Sequence, residues 1–200
     1  MGHGRDSHCS YCGHAFAPDA SWPRRCEGCG NTSYRNPLPV SVVLLPVDDG
    51  LLAVRRAHAP GRGELALPGG FIELPESWQE AAVRELYEET DVRLEADALV
   101  PFRVYSASDG TLLIFGLAPS RTADSLPAFR PTEESSERVI LTEPVELAFS
   151  LHTRVMREYF AQTRSHDSSW LAWGRQLQAL AQTGLAYTEN VFERERYESI

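Results

Sequence analysis

From Ser77 to Val92 the chain reads SWQEAAVRELYEETDV, a segment that calls for a short helix crowded with like charge. Ser77 is placed to cap the helix N-terminus, and Glu80, three residues on, to reach back to it in a capping box. Glu85, Glu88 and Glu89 then occupy interior helical positions, where offsets of three and four residues bring them onto one face. Like charges at that spacing weaken a helix by roughly 0.2–0.5 kcal/mol per pair, so something of opposite charge is expected there. Trp78, Ala82, Val83 and Leu86 fall on a neighbouring arc suited to a core. The acidic face therefore borders the core.

Three converging carboxylates suit a hard divalent cation, Mg2+ or Mn2+, which prefers oxygen ligands and is commonly shared with substrate phosphate. Glu76 stands just before the helix, and Arg84 can pair with a neighbouring carboxylate and hold it in place. Acidity alone would equally fit a solvated helix face laced with Arg84 and Arg93.

Spacing separates the two readings. Gly70, Glu76, Arg84, Glu85, Leu86, Glu88, Glu89 and Val92 follow G-x5-E-x7-R-E-L-x-E-E-x-x-V. This resembles the Nudix box, the signature of the Nudix hydrolases. The one departure is Asp91, where that family usually has Gly at the close of the helix; Asp tolerates the left-handed conformation less well than Gly. The resemblance implies an α/β fold, an alpha/beta/alpha sandwich with a mixed sheet. It also implies hydrolysis of a nucleoside diphosphate linked to another moiety. Glu85, Glu88 and Glu89, with the Gly70 carbonyl, would then bind Mg2+ or Mn2+, while Glu76 and Arg84 orient that shell. For the general base it leaves open a box Glu, or Glu134 or Glu137 in EESSE.

Four cysteines, Cys9, Cys12, Cys26 and Cys29, form C-x2-C-x13-C-x2-C, and Gly13 and Gly30 follow the two knuckles. Such spacing closes a tetrahedral thiolate site around structural zinc, and with all four positions filled by protein no open position is left for substrate. Two disulfides would need an oxidising compartment, whereas the N-terminus MGHGRDSHCSYCGH has no apolar signal core, so a cytoplasmic location is expected.

The formal charge of -9 argues against long nucleic acid and against an anionic membrane, both of which need a basic surface. A small anionic nucleotide remains open if a metal supplies positive charge. Every basic residue is Arg, which excludes a Walker-type lysine, a Schiff base and a Ser-Lys dyad.

Elsewhere, VSVVLLPV predicts a buried strand over 40–47, turning at Asp48 and Asp49 into a hairpin with LLAVRRA. LALPGGFIE reads as a short strand broken by a Pro-Gly-Gly turn, and further strands are expected over 99–105, 111–117 and 138–142, with a helix over 150–162. After TRSHDSS, a second helical pattern places Trp170, Trp173, Leu177, Leu180 and Ala181 on one side, to dock on the domain or, as a homodimer, on a second subunit. The expected organisation is a zinc ribbon over 1–36, a Nudix domain over 37–162, and a helical extension over 163–200.

Among zinc-ribbon Nudix proteins, the NADH pyrophosphatases that also remove NAD caps from RNA carry an S-Q-P-W-P-F-P-x-S array after the box. The corresponding PFRVYSASDGTLLIFGLAP lacks it. The C-x2-C-G knuckle with Tyr34, Asn36 and Pro37, and Glu134, Ser135 and Glu137 ahead of the last helix, is more similar to the group that includes plant FAD and ADP-ribose diphosphatases. That resemblance implies cleavage of FAD or ADP-ribose to AMP plus FMN or ribose 5-phosphate, with NADH or NAD-cap hydrolysis as the alternative. Phe71, Phe102, Tyr105 and Phe115 are candidates to stack on adenine or flavin, although strand aromatics usually pack inward, and Arg56 is a candidate for phosphate. A Nudix-derived sensor of ADP-ribose is the reading from another class.

Overall fold

The computed structural model describes residues 6–187. A two-stranded hairpin, β1 (Arg24–Arg25) and β2 (Thr32–Ser33), lies among the cysteines. Two four-stranded sheets follow. One is mixed: β7 (Gly69–Phe71), β3 (Leu38–Leu44), β9 (Thr111–Leu117) and β8 (Val100–Ser106), in that order, with β3 and β9 parallel. The other is antiparallel and centred on β5 (Gly50–Arg56), flanked by β10 (Ser135–Leu141) on one side and by β4 (Pro46–Val47) and β6 (Leu65–Ala66) on the other.

Two helices cover opposite faces. Along β3, Val42 and Leu44 enter one core cluster, with Leu113 and Phe115 of β9 and with Val155, Met156 and Phe160 of helix α2 (Ser150–Tyr187). The alternate residue Val43, with Leu45, Leu52, Ala82 and Leu86, forms the second cluster beneath helix α1 (Trp78–Thr90). Period-two alternation with both faces buried is what makes VSVVLL a continuous apolar run. The result is the expected three-layer α/β arrangement.

Two expectations need correction. The strand expected over 40–47 breaks at Leu45: β3 pairs with β7 and β9, and only β4 completes the hairpin, through Pro46 opposite Leu51 and Val47 opposite Gly50. A run buried on both faces carries no alternation to mark where it changes sheet. The two expected C-terminal helices are one, of 38 residues. TRSHDSS contains neither Pro nor Gly, so nothing in it breaks the hydrogen-bond ladder. The first turns of α2 pack on the sheet, whereas Trp173, Leu177 and Leu180 further along are exposed. The Trp170 side chain is not among those described. Among those described, no helix is long and apolar enough to cross a membrane.

Candidate active site

The capping box forms as expected: the Glu80 N–H donates to Ser77 Oγ at 3.2 Å, and the Ser77 N–H donates to the Glu80 carboxylate at 2.6 Å. At the other end Asp91 takes the left-handed conformation (φ 61°), and its N–H bonds the Tyr87 carbonyl at 2.8 Å. Arg138 braces this corner from β10, donating to the Thr90 and Pro127 carbonyls.

Between those ends, α1 presents its acidic face to β7. Arg84 is the hub. Its guanidinium donates to both oxygens of Glu76 (2.8 and 3.1 Å), to Glu85 (2.7 Å), to Glu88 (3.2 Å) and to the Phe71 carbonyl (3.0 Å). The bidentate contact with Arg84 holds the Glu76 carboxyl below its ordinary range. The Glu85 carboxylate lies hard against Gly70, where a Cβ would fall 2.4 Å from it. Only a glycine leaves room for that approach.

Glu85, Glu89 and Glu134 each offer an oxygen, and all three oxygens lie within 4.8 Å of one another. Glu134 arrives from the segment before β10. Its carbonyl accepts the Ala57 N–H at 2.7 Å, and Thr132 Oγ1 accepts the N–H groups of Glu134 and Ser135. Glu89 is buried and accepts the Gly69 N–H at 3.2 Å. Desolvation, with Glu85 adding like charge, pushes its carboxyl up to about 8, and burial also raises Glu85. Three mutually repelling carboxylates, that of Glu89 buried, beside a side-chain-free glycine are a donor set that fits a hard divalent cation.

Glu88 stands outside this cluster, half exposed and bonded to Arg84. Glu137 turns to Arg55, 2.7 Å away. Among the residues considered for substrate, Phe71 is exposed beside the site, while Phe115 is fully buried in the core. The Tyr105 hydroxyl donates to Glu158 at 2.9 Å, and Phe102 packs edge-on against Tyr159. Arg56 donates to the Pro60 carbonyl and lies over the Phe149 ring, with its charge felt at Glu89.

The four cysteines converge and form no disulfide. Cys9 and Cys29 sulfurs are 3.7 Å apart, and Cys12 and Cys26 sulfurs 3.6 Å. A tetrahedron with metal–sulfur bonds of about 2.3 Å has edges of about 3.8 Å, which these two pairs match, and all four sulfurs lie within 4.8 Å of one another, a set that fits zinc. Gly13 and Gly30 share φ 75° and send their N–H groups back to Cys9 and Cys26 carbonyls, making the two knuckles equivalent.

Sequence reasoning passed over His152 and Arg138. The first was a lone His in the apolar phase of a helix, the second a strand Arg; neither has a spacing signature.

The fold is a three-layer α/β arrangement that carries a carboxylate cluster fit for a divalent cation, and comparison with known proteins supplies its family. The NUDIX domain matches residues 35–161, and the chain belongs to that family. A second family, described as a UDP-X-like, N-terminal oligomerisation domain, matches residues 168–200. The NAD-capped RNA hydrolase NudC of Edwardsiella ictaluri is 32% identical over 88 residues, 44% of this chain and 34% of that protein. An ADP-ribose pyrophosphatase of Methanocaldococcus jannaschii is 37% identical over 76 residues, 38% of this chain and 44% of that protein. These matches thus span less than half of either relative. The crystal structure of a NUDIX hydrolase from Nitrosomonas europaea superposes with a TM-score of 0.65 at 26% identity, over 80% of this chain and 93% of that one.

Proposed function

We propose that the protein is a Mg2+- or Mn2+-dependent dinucleotide diphosphatase that cleaves FAD or ADP-ribose to AMP plus FMN or ribose 5-phosphate. The observation that carries this reading is the convergence of Glu85, Glu89 and Glu134 beside Gly70. Glu85 and Glu89, with the Gly70 carbonyl, hold the cation; Glu88 adds charge at the exposed margin. When bound, the cation supplies positive charge to the diphosphate and to the attacking water. Glu76 and Arg84 fix the orientation of Glu85. Glu134, carried in from the opposite sheet, takes the proton from the water as its oxygen bonds to phosphorus and the bridging oxygen leaves with the other half of the substrate. Glu137 is less suited to that role because it is engaged by Arg55. Phe71 and Arg56 border the site and are the groups proposed to meet base and phosphate.

The similarity to NudC favours a second substrate reading, NADH or NAD-capped RNA, with release of nicotinamide mononucleotide. Pure protein incubated with Mg2+ and FAD, ADP-ribose, NADH, NAD+ or capped RNA, followed by product chromatography, separates the two. AMP with FMN or ribose 5-phosphate supports the first. Silence across the panel, with nucleotide binding retained in Glu89→Gln, would instead identify a sensor.

We further propose that the cysteines hold structural zinc in a ribbon ahead of the catalytic domain, and that residues 168–200 bring two copies of the chain together. The exposed apolar residues Trp173, Leu177 and Leu180 recur at helical spacing within a segment similar to an oligomerisation domain. Light scattering is expected to give the mass of a dimer, and Leu177→Glu with Leu180→Glu to give that of a monomer.

A further inference from the structure

His152 is the third residue of α2 and is buried. Its ring is wedged edge-on against Phe115 (centroids 5.6 Å apart) and tilted against Phe149 (5.0 Å). Nδ1 lies 3.3 Å from the Leu67 nitrogen. A backbone N–H can only donate, so Nδ1 accepts and the ring proton sits on Nε2.

Leu67 belongs to no strand. It stands between β6 and β7, where the chain leaves the antiparallel sheet for the mixed one. A buried N–H at such a crossing has no ladder partner and needs one from elsewhere. The crossing is pinned at three points: the Ala148 N–H donates to the Leu65 carbonyl (2.8 Å), the Leu67 N–H to His152, and the Val43 N–H to the Pro68 carbonyl (2.8 Å). The very next residues do the site's work, since Gly69 donates to Glu89 and Gly70 backs Glu85. Two of the three pins come from the start of α2 and the residues just before it, an element that contributes no carboxylate to the cluster.

We propose that His152 is a positioning residue for the cation site, acting through the Leu67 N–H to set the Gly69–Gly70 backbone against Glu89 and Glu85. This rests on the reading of that cluster as a divalent-cation site. The neutral ring the role requires is the form its surroundings impose: burial, and then the Arg56 charge, hold the imidazole down to about 3. A protonated ring would set one N–H against another.

Two measurements on the full chain test it. In protein labelled with 15N-histidine, the shifts of His152 are expected to report the Nε2-protonated tautomer; an Nδ1-protonated ring overturns the proposal. Mn2+ dissociation, followed by electron paramagnetic resonance, is then compared for two variants of similar polarity. His152→Asn places its amide oxygen where Nδ1 was, and His152→Gln places its own where Nε2 was. His152→Gln is expected to weaken Mn2+ binding by about tenfold, the usual effect of losing a residue that orients a metal site, while His152→Asn retains most of the affinity. Equal affinities in the two variants overturn the proposal. Glu89→Gln is the control: unchanged Mn2+ binding there means that the cation-site reading has failed. Weakened binding in Glu89→Gln, with both His152 variants unaffected, means that only the role of His152 has.

Discussion

Glu89 accepts the Gly69 N–H at 3.2 Å, tying a buried carboxylate near the end of α1 to the strand that presents Gly70. One hydrogen bond does not offset the desolvation and the neighbouring Glu85 charge, which together raise the Glu89 carboxyl to about 8 from an ordinary 4.5. Without metal, the folded protein keeps a proton that the unfolded chain has released, so Glu89 makes stability fall as pH rises from 4.5 through about 8. His152 acts the other way. Its folded value of about 3 against 6.5 means that stability is lost as pH falls below 6.5. From these two groups, metal-free protein is most stable between 4.5 and 6.5, where their slopes cancel. The urea midpoint is expected to drop between pH 6.5 and 8 without metal, and to lose that drop in saturating Mn2+. Mn2+ affinity should rise by up to about tenfold per pH unit as the proton is displaced. A midpoint that is flat over that interval in metal-free protein would sink the assignment.

Gly70 separates steric from electrostatic contributions to the site. A Cβ there would meet the Glu85 carboxyl carbon and oxygens at 2.4 to 2.6 Å, yet the residue does not need positive φ, so alanine fits the backbone. Gly70→Ala is therefore expected to fold, with thermal stability nearly unchanged, while displacing Glu85 by about an ångström. A displacement of that size at a reacting centre costs on the order of 100-fold in rate. Turnover within a factor of a few of the native value would show that Glu85 does not need its contact with this strand.

How much of this was legible follows from the range of each interaction. Ser77, Glu80, Glu85 and Glu89 were readable because a helix repeats every 3.6 residues and its contacts are local. The approach of Glu134 was readable only in part. The resemblance left Glu134 and Glu137 of EESSE both open, and the choice between them is made by pairing Ser135 with Arg56 and Glu137 with Arg55, a long-range register with a bulge between. The same limit applies to β3 and β4, which one apolar run hides, and to Leu67, whose need for a partner arises only because the chain changes sheets there.

Asp91 stands in the left-handed region at φ 61°, where an L-residue is strained and glycine is not. Its carboxylate interacts with the Arg138 charge, a partial compensation that glycine would lose. Asp91→Gly is expected to stabilise the protein by about 0.5–1 kcal/mol in urea unfolding, with kcat unchanged. Destabilisation would mean that the attraction to Arg138 outweighs the backbone strain.

The cysteine cluster makes a prediction independent of the catalytic site. Its hairpin, β1 with β2, pairs with neither of the two four-stranded sheets, and the sulfurs already stand 3.6–3.7 Å apart in the two cross-knuckle pairs. If these thiolates hold zinc as proposed, metal binding would be the main source of folding free energy in so small a segment, and losing one thiolate should unfold it locally. Purified protein is expected to carry one zinc per chain by mass spectrometry of its metals. Cys12→Ser should lose that zinc and the protection of the surrounding amides from hydrogen exchange, while Mn2+ affinity at the carboxylate cluster stays within about threefold, as for two sites without shared partners. Disulfides in protein purified without reductant, or zinc retained after the substitution, would replace the tetrahedral thiolate site with another use of these cysteines.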